Sequence, residues 1–122
     1  MIETVLGILR ADAALMSLVD CIEPNGTENV NGNSIVYSLT LLTDDRIKRT
    51  DRLEIRIIAK SVKQMFSIDA IVRKLLLTLG DEPLRTGIQK VEINGGGQME
   101  DLNTATYHLL AYYIITSRSD SK

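Results

Sequence analysis

His108 is the sole histidine of the chain and Cys21 its sole cysteine. A zinc site of nitrogen and sulfur ligands needs three or four such groups, so this pair is an incomplete set, and Cys21 has no partner for an intramolecular disulfide. Acid–base work by His108 requires a nucleophile or carboxylate placed beside it. The sequence points to none, so a structural or surface histidine is the expectation. Gly95-Gly96-Gly97 invites comparison with a phosphate-binding loop, but that loop continues into Gly-Lys-Ser/Thr and a helix. Here Gln98, Met99, Glu100 and Asp101 follow instead, and then a strand. The triplet reads as a flexible turn. Asp44, Asp45 and Asp51 offer carboxylates to a hard cation, yet Arg46, Lys48 and Arg49 stand among them and neutralise them. That stretch reads as a solvated loop of mixed charge, or as a charged rim that orients a partner. Glu100 and Asp101 carry the same two readings. With no convergent polar set, the expectation is a structural or interaction module: no enzyme, no cofactor and no metal.

Composition sets the frame for these residues. The chain has 122 residues, 44% apolar and 25% charged, which is one globular domain over 1–122. A net charge of −2 gives no basic field for sequence-specific nucleic-acid binding. No apolar run approaches the roughly 20 residues that cross a bilayer, and the first residues lack the pattern of a secretion signal, so a cytoplasmic protein is expected.

Ile2, Val5, Leu6, Leu9, Ala13, Met16 and Val19 recur at helical spacing. Asp12 is placed to cap a second piece beginning at Ala13, so residues 2–19 read either as one bent helix or as two short ones. Pro24, Asn25 and Gly26, with the asparagines that follow to Asn33, form a loop. Four strands are expected. The first covers 34–42, and the second, over 51–60, alternates Leu53, Ile55, Ile57 and Ala59 against Arg52, Glu54, Arg56 and Lys60. A charged 43–50 linker closes these two into an antiparallel hairpin. A helix over 62–79 carries Ile68, Ile71, Val72, Leu75, Leu76 and Leu79 inward and Lys63, Asp69, Arg73 and Lys74 mainly outward, with Gly80 as a left-handed stop and Pro83 preventing resumption. Strands over 88–94 and 104–117 complete the order α–β–β–α–β–β, and residues 118–122 form a frayed tail. The fold class is α+β: one four-stranded, mixed and mainly antiparallel sheet flanked by two helices, with a crossover between the second and third strands that leaves one pair open to parallel pairing.

The last strand is apolar on both sides. Tyr107, Leu109, Ala111, Tyr113 and Ile115 make one face; Leu110, Tyr112 and Ile114 make the other, joined by Val36, Leu42 and Ile58. Such a strand expects cover on both sides. The long helix supplies one cover; the first helix or a neighbouring subunit supplies the other.

The sequence resembles the tail completion proteins, or tail terminators, of long-tailed bacteriophages and prophages. The likeness runs from Ala11-Asp12-Ala13-Ala14-Leu15-Met16-Ser17-Leu18-Val19, Ile22 and Pro24 through Ile35-Val36-Tyr37-Ser38 and Arg52–Ser61 to Asp101-Leu102-Asn103-Thr104-Ala105-Thr106-Tyr107-His108. It spans nearly the whole chain by order and spacing; the long asparagine-rich loop at 25–33 departs from it. The resemblance implies a hexameric ring of identical subunits that caps the tail tube, stops its polymerisation and joins it to the head-side connector, located at the head-proximal end of the virion tail and assembled in the bacterial cytoplasm. Its expected partners are copies of itself, the tail tube protein and the connector, with no membrane. The contacts expected are Asp44, Asp45, Arg46, Lys48 and Arg49 in the hairpin loop, Gly96, Gln98, Glu100 and Asp101 in the following turn, and Leu110, Tyr112 and Ile114 on the second face. The alternatives are a head–tail connector of similar size and a small ligand-binding α+β dimer.

Overall fold

A computed structural model describes residues 2–24, 33–81, 87–101 and 106–118. Asp12 divides the opening helical stretch into α1 (Ile2–Ala11) and α2 (Ala13–Leu18), its carboxylate accepting the Leu15 N–H at 2.9 Å. The break resets the helical phase. Leu15, rather than Met16, therefore enters the core beside Val5 and Leu9. Helix α3 (Val62–Leu77) begins at Ser61, whose hydroxyl accepts the Gln64 N–H, and places Ile68, Val72 and Leu76 inward. It ends at Thr78 in right-handed geometry and passes into a short turn of 3₁₀ helix, Leu79–Asp81. Gly80 is therefore not a left-handed stop. It is needed for space, since a Cβ there would lie 2.9 Å from the Gln89 carbonyl oxygen. Pro83, most of the loop expected at 25–33, residues 102–105 with the expected start of the last strand, and most of the expected tail lie outside the described residues.

The sheet has five strands, not four: β1 (Cys21–Pro24), β2 (Ser34–Asp44), β3 (Lys48–Ala59), β4 (Ile88–Asp101) and β5 (Thr106–Arg118), in spatial order β1-β2-β3-β5-β4. β1 is a four-residue edge strand ending in a proline, a position where the missing N–H costs no ladder bond. Its pairing with β2 is the parallel one. The crossover from β3 through α3 does not bring β4 alongside β3, because β5 lies between them and pairs antiparallel with both. The strand with apolar residues on both faces thus takes an interior place.

β4 also runs further than expected. Gly95-Gly96-Gly97 is not a turn; it lies inside the strand, where the register with β5 shifts between Ile93 and Gly96. Gly95 (φ +90°) and Gly96 (φ +150°) adopt backbone that side-chain-bearing residues rarely take. This is a bulge, a device that bends an edge strand and re-aims its neighbours. Gly96 has a second constraint: a Cβ there would sit 2.2 Å from the Leu110 carbonyl oxygen.

The core is built on the odd-numbered side of the sheet. Ile35, Leu53, Ile55, Ile57, Leu109, Ala111, Tyr113 and Ile115 form one cluster with Val5, Leu9 and Leu15 of the first two helices and with Met65, Ile68, Val72 and Leu76 of α3. All three helices join this cluster, and Leu110, Tyr112 and Ile114 do not. The first helix therefore does not cover the second face.

Gly96→Ala should lower stability by more than about 2 kcal/mol, from strained backbone and a clash with β5. Gly97→Ala, where a Cβ meets open space, should stay within about 1 kcal/mol. Denaturant midpoints of the two variants check this pair.

Candidate functional site

Three places gather polar or exposed apolar groups. The first is the β2–β3 hairpin. Its turn is shorter than the sequence suggested, since pairing continues to Asp44↔Arg49. Asp44 Oδ1 accepts the Arg46 N–H at 2.9 Å, and Asp45 Oδ1 accepts the N–H groups of Ile47 and Lys48 at 2.9 and 2.7 Å. Those two N–H groups hold the Asp45 carboxyl below its ordinary range. The aspartates thus serve the turn, and Arg46 takes positive φ (74°) at its tip. Among the described residues no group of three or more histidine, cysteine or acidic side chains is placed to hold a metal. Leu41, Leu42 and Ile47 are exposed, Ile47 at 79%, so the hairpin projects beyond the core.

Arg49 and Asp51 differ from the solvated charges expected in this stretch. Asp51 is fully buried, and the Arg49 Nε–H group lies 3.0 Å from both of its oxygens. They sit on alternate residues of β3, hence on one side of the sheet. Arg49 is a structural partner of a buried carboxylate.

The second place is the even-numbered sheet face. Leu110, Tyr112 and Ile114 are half-buried and stand opposite Arg56, Glu54 and Arg52 of β3. The Arg52 guanidinium lies 5.3 Å from the centre of the Tyr112 ring, within cation–π range. Apolar and charged residues alternate across the strands, a mixture typical of surfaces that associate without being greasy throughout. His108 lies on this side next to Thr106, with Thr106 Oγ1 3.1 Å from its Nε2. Gln98 is exposed in β4, and Gly96, Glu100 and Asp101 belong to the same strand, so these four do not form the turn expected of them.

The third place was not expected from the sequence. Between α3 and the bulge of β4 opens a cleft of about 280 Å³, lined by Phe66, Asp69, Arg73, Ile93, Tyr113 and the 95–97 glycine stretch. Asp69, assigned to the outer side of α3, is only 6% exposed. Arg73, one helical turn on, bonds its Oδ2 at 3.0 Å. Among the described residues Asp69 Oδ1 and the Tyr113 hydroxyl are buried without hydrogen-bond partners. Burial raises the Asp69 carboxyl above its ordinary pKa, with Arg73 opposing, and burial next to Asp69 pushes the Tyr113 phenol up to about 12. The sequence signal for this place was slight: an Asp and Arg four apart on a helix, facing a run of glycines.

No protein-family model and no curated protein matches the sequence. Solved structures do match the fold. A chain from the virion of a native gene transfer agent particle superposes with a TM-score of 0.68 at 12% identity, over 94% of this chain and 92% of its own. The gp17 protein of bacteriophage SPP1 superposes with a TM-score of 0.63 at 11% identity, over 98% of this chain and 89% of its own. At these identities the likeness is one of fold.

Arg49→Ala should strand the Asp51 charge in the core and cost about 3 kcal/mol, whereas Lys48→Ala, at an exposed position, should change stability by no more than about 0.5 kcal/mol; urea unfolding of both variants checks the contrast. The raised Asp69 pKa carries a sign. The folded state holds that proton more tightly than the unfolded state, so the stabilising contribution is complete below the unfolded value of 3.8 and is lost as pH rises through the folded value. Asp69→Asn, which cannot titrate, should therefore gain stability relative to the wild type as pH rises from about 3 to about 6. Melting temperatures across that range read the trend, and a constant difference would contradict it.

Proposed function

We propose that this chain is a structural protein of a phage-type virion, working by assembly and not by catalysis. The observation that carries this reading is the sheet face bearing Leu110, Tyr112 and Ile114, to which none of the core helices contributes. Half-buried apolar side chains interleaved with Arg52, Glu54 and Arg56 make a mixed surface of the kind that non-obligate partners use. The fold shared with a chain of the gene transfer agent virion and with SPP1 gp17 gives that partner a context. In the finer form of the reading, supported by the resemblance of the sequence to tail terminators, copies close into a hexameric ring on the head-proximal end of the tail tube. The ring stops further addition of tube protein and offers its other side to the head connector. Hexamer closure is a heterologous contact repeated by rotation. In this reading no reaction is assigned to the described residues, and the hairpin aspartates serve their turn. The cleft beside Asp69 gives the rival reading, a ligand-binding dimer, its one foothold.

Light scattering coupled to gel filtration should give six times the 13.6 kDa of one chain, with rings in electron micrographs that bind the ends of tail tubes. A strict dimer, or binding only to filled heads lacking tails, would overturn the tube-capping reading. Because none of the core helices packs over it, Tyr112→Asp should leave the far-ultraviolet spectrum and melting temperature nearly unchanged while abolishing attachment to tail tubes. Unfolding by that substitution would show the face to be internal.

A further inference from the structure

The large exposed apolar side chains of the hairpin and of the cleft are of opposite shape. Leu41, Leu42 and Ile47 ride on a projecting arm, while Phe66 (44% exposed) and Ile93 (45%) stand among the residues that line a concavity. The arm cannot reach the cleft of its own chain. Lys48, at the base of the tip, pairs with Arg118. The wall residue Ala111 lies seven positions back along β5, roughly 23 Å away at about 3.3 Å per residue. β4, which forms the cleft, is on the far side of β5 from the hairpin strands. A convex element and a concave one, too far apart to meet within a chain, are what a head-to-tail contact between copies requires.

We propose that the hairpin tip of one copy seats in the Asp69–Tyr113 cleft of the next, with Ile47 between Phe66 and Ile93 and Arg46 directed to the Asp69 carboxylate. This inference rests on the self-assembly reading and names the contact that would repeat around the ring. The cleft, at about 280 Å³, has room for the one or two side chains of a hairpin tip. Polar chemistry favours a donor. Asp69 Oδ1 is a buried acceptor with no partner among the described residues, and leaving such a group unmatched costs about 1–3 kcal/mol. Arg46 presents five donors next to the most exposed apolar side chain of the arm. The missing side chains at Gly95 and Gly97, where a Cβ would meet only open space, leave the wall of the cleft clear.

Two single defects test this. Ile47→Asp spoils the tip and Ile93→Asp spoils the cleft, and both positions are exposed enough to keep the fold, as circular dichroism would verify. Each variant alone should be monomeric by light scattering. An equimolar mixture should form a dimer and nothing larger, because one good tip and one good cleft remain. If the wild type closes into a ring and both variants form the same ring, the hairpin–cleft contact is wrong while the ring reading stands. If the mixture dimerises but the wild type gives open chains, the contact stands and the ring reading falls. A wild type that never associates, alone or with tail tubes, removes both.

Discussion

The structure depends on the pairing of β3 with β5 in a register that sends every large apolar side chain of the core to one side. Ile57 stands opposite Leu109, Ile55 opposite Ala111 and Leu53 opposite Tyr113. A slip of β3 by one residue would turn Leu53, Ile55 and Ile57 away from the helices and bring Arg52, Glu54 and Arg56 under them, so register is strongly specified. With that pairing fixed, α3 has one place to pack, and α1 and α2 extend the same layer. The consequence is an asymmetric sheet with all its helices on one side. Among the described residues, no helix packs over Leu110, Tyr112 and Ile114. The functional reading starts from that asymmetry.

Two acidic residues show how differently the core treats charge. Asp51, fully buried beside the apolar end of β5, is met at both oxygens by Arg49 of its own strand. Removing an ion from water costs several kcal/mol, and only close, well-directed pairing offsets it. Asp69 is met at one oxygen and left alone at the other. The first arrangement stabilises the base of the hairpin and lets the arm project. The second leaves an unspent acceptor, together with the Tyr113 hydroxyl, at a cleft. Buried groups left unmatched are rare enough in folded proteins to need a reason. A contact made only in the assembled state is one that fits both the cleft and the arm.

Much of this was legible in the sequence. Alternation in Leu53–Ala59 and helical spacing in Ile68–Leu79 placed the central elements, because in each the pattern repeats several times. Asp12 announced a break between helices, and the short carboxylate does cap α2. The errors fall where a single local cue stood against tertiary context. Four residues ending in Pro24 carry no periodicity, so the sequence gives no strand signal for Cys21–Glu23 and opens its loop at Pro24, the last residue of β1. Three consecutive glycines signal a turn in isolation; here they continue an edge strand through a bulge that the carbonyl of Leu110 requires to be free of side chains. Gly80 was assigned to backbone conformation when space next to Gln89 is the constraint. Asp69 was placed outside because it is charged, although its spacing from Ile68 and Val72 leaves it at the margin of the buried stripe. Arg49 and Asp51 look like solvent-facing members of a charged run, and only the strand period, extended back from Leu53 by four residues, puts them together on one side. The interaction surfaces were legible in part: the second face of β5 from its double apolarity, the hairpin from its charge, the cleft hardly at all.

A projecting arm and a recessed cleft on one chain also bear on how assembly would be controlled. A two-fold dimer buries the same patch twice and is then finished, whereas a head-to-tail contact leaves a free arm and a free cleft at the ends of every open chain. Each such contact seats one side chain or two in a cleft of about 280 Å³, enough to pair copies at the concentrations of light scattering but far short of an obligate interface. Closing the ring adds a contact without recruiting another copy, and a template that holds several copies at once raises their effective concentration around it. On the proposed tube-capping reading the two surfaces have separate tasks. The β5 face grips the end of the tube, and the arm and cleft join the copies to one another.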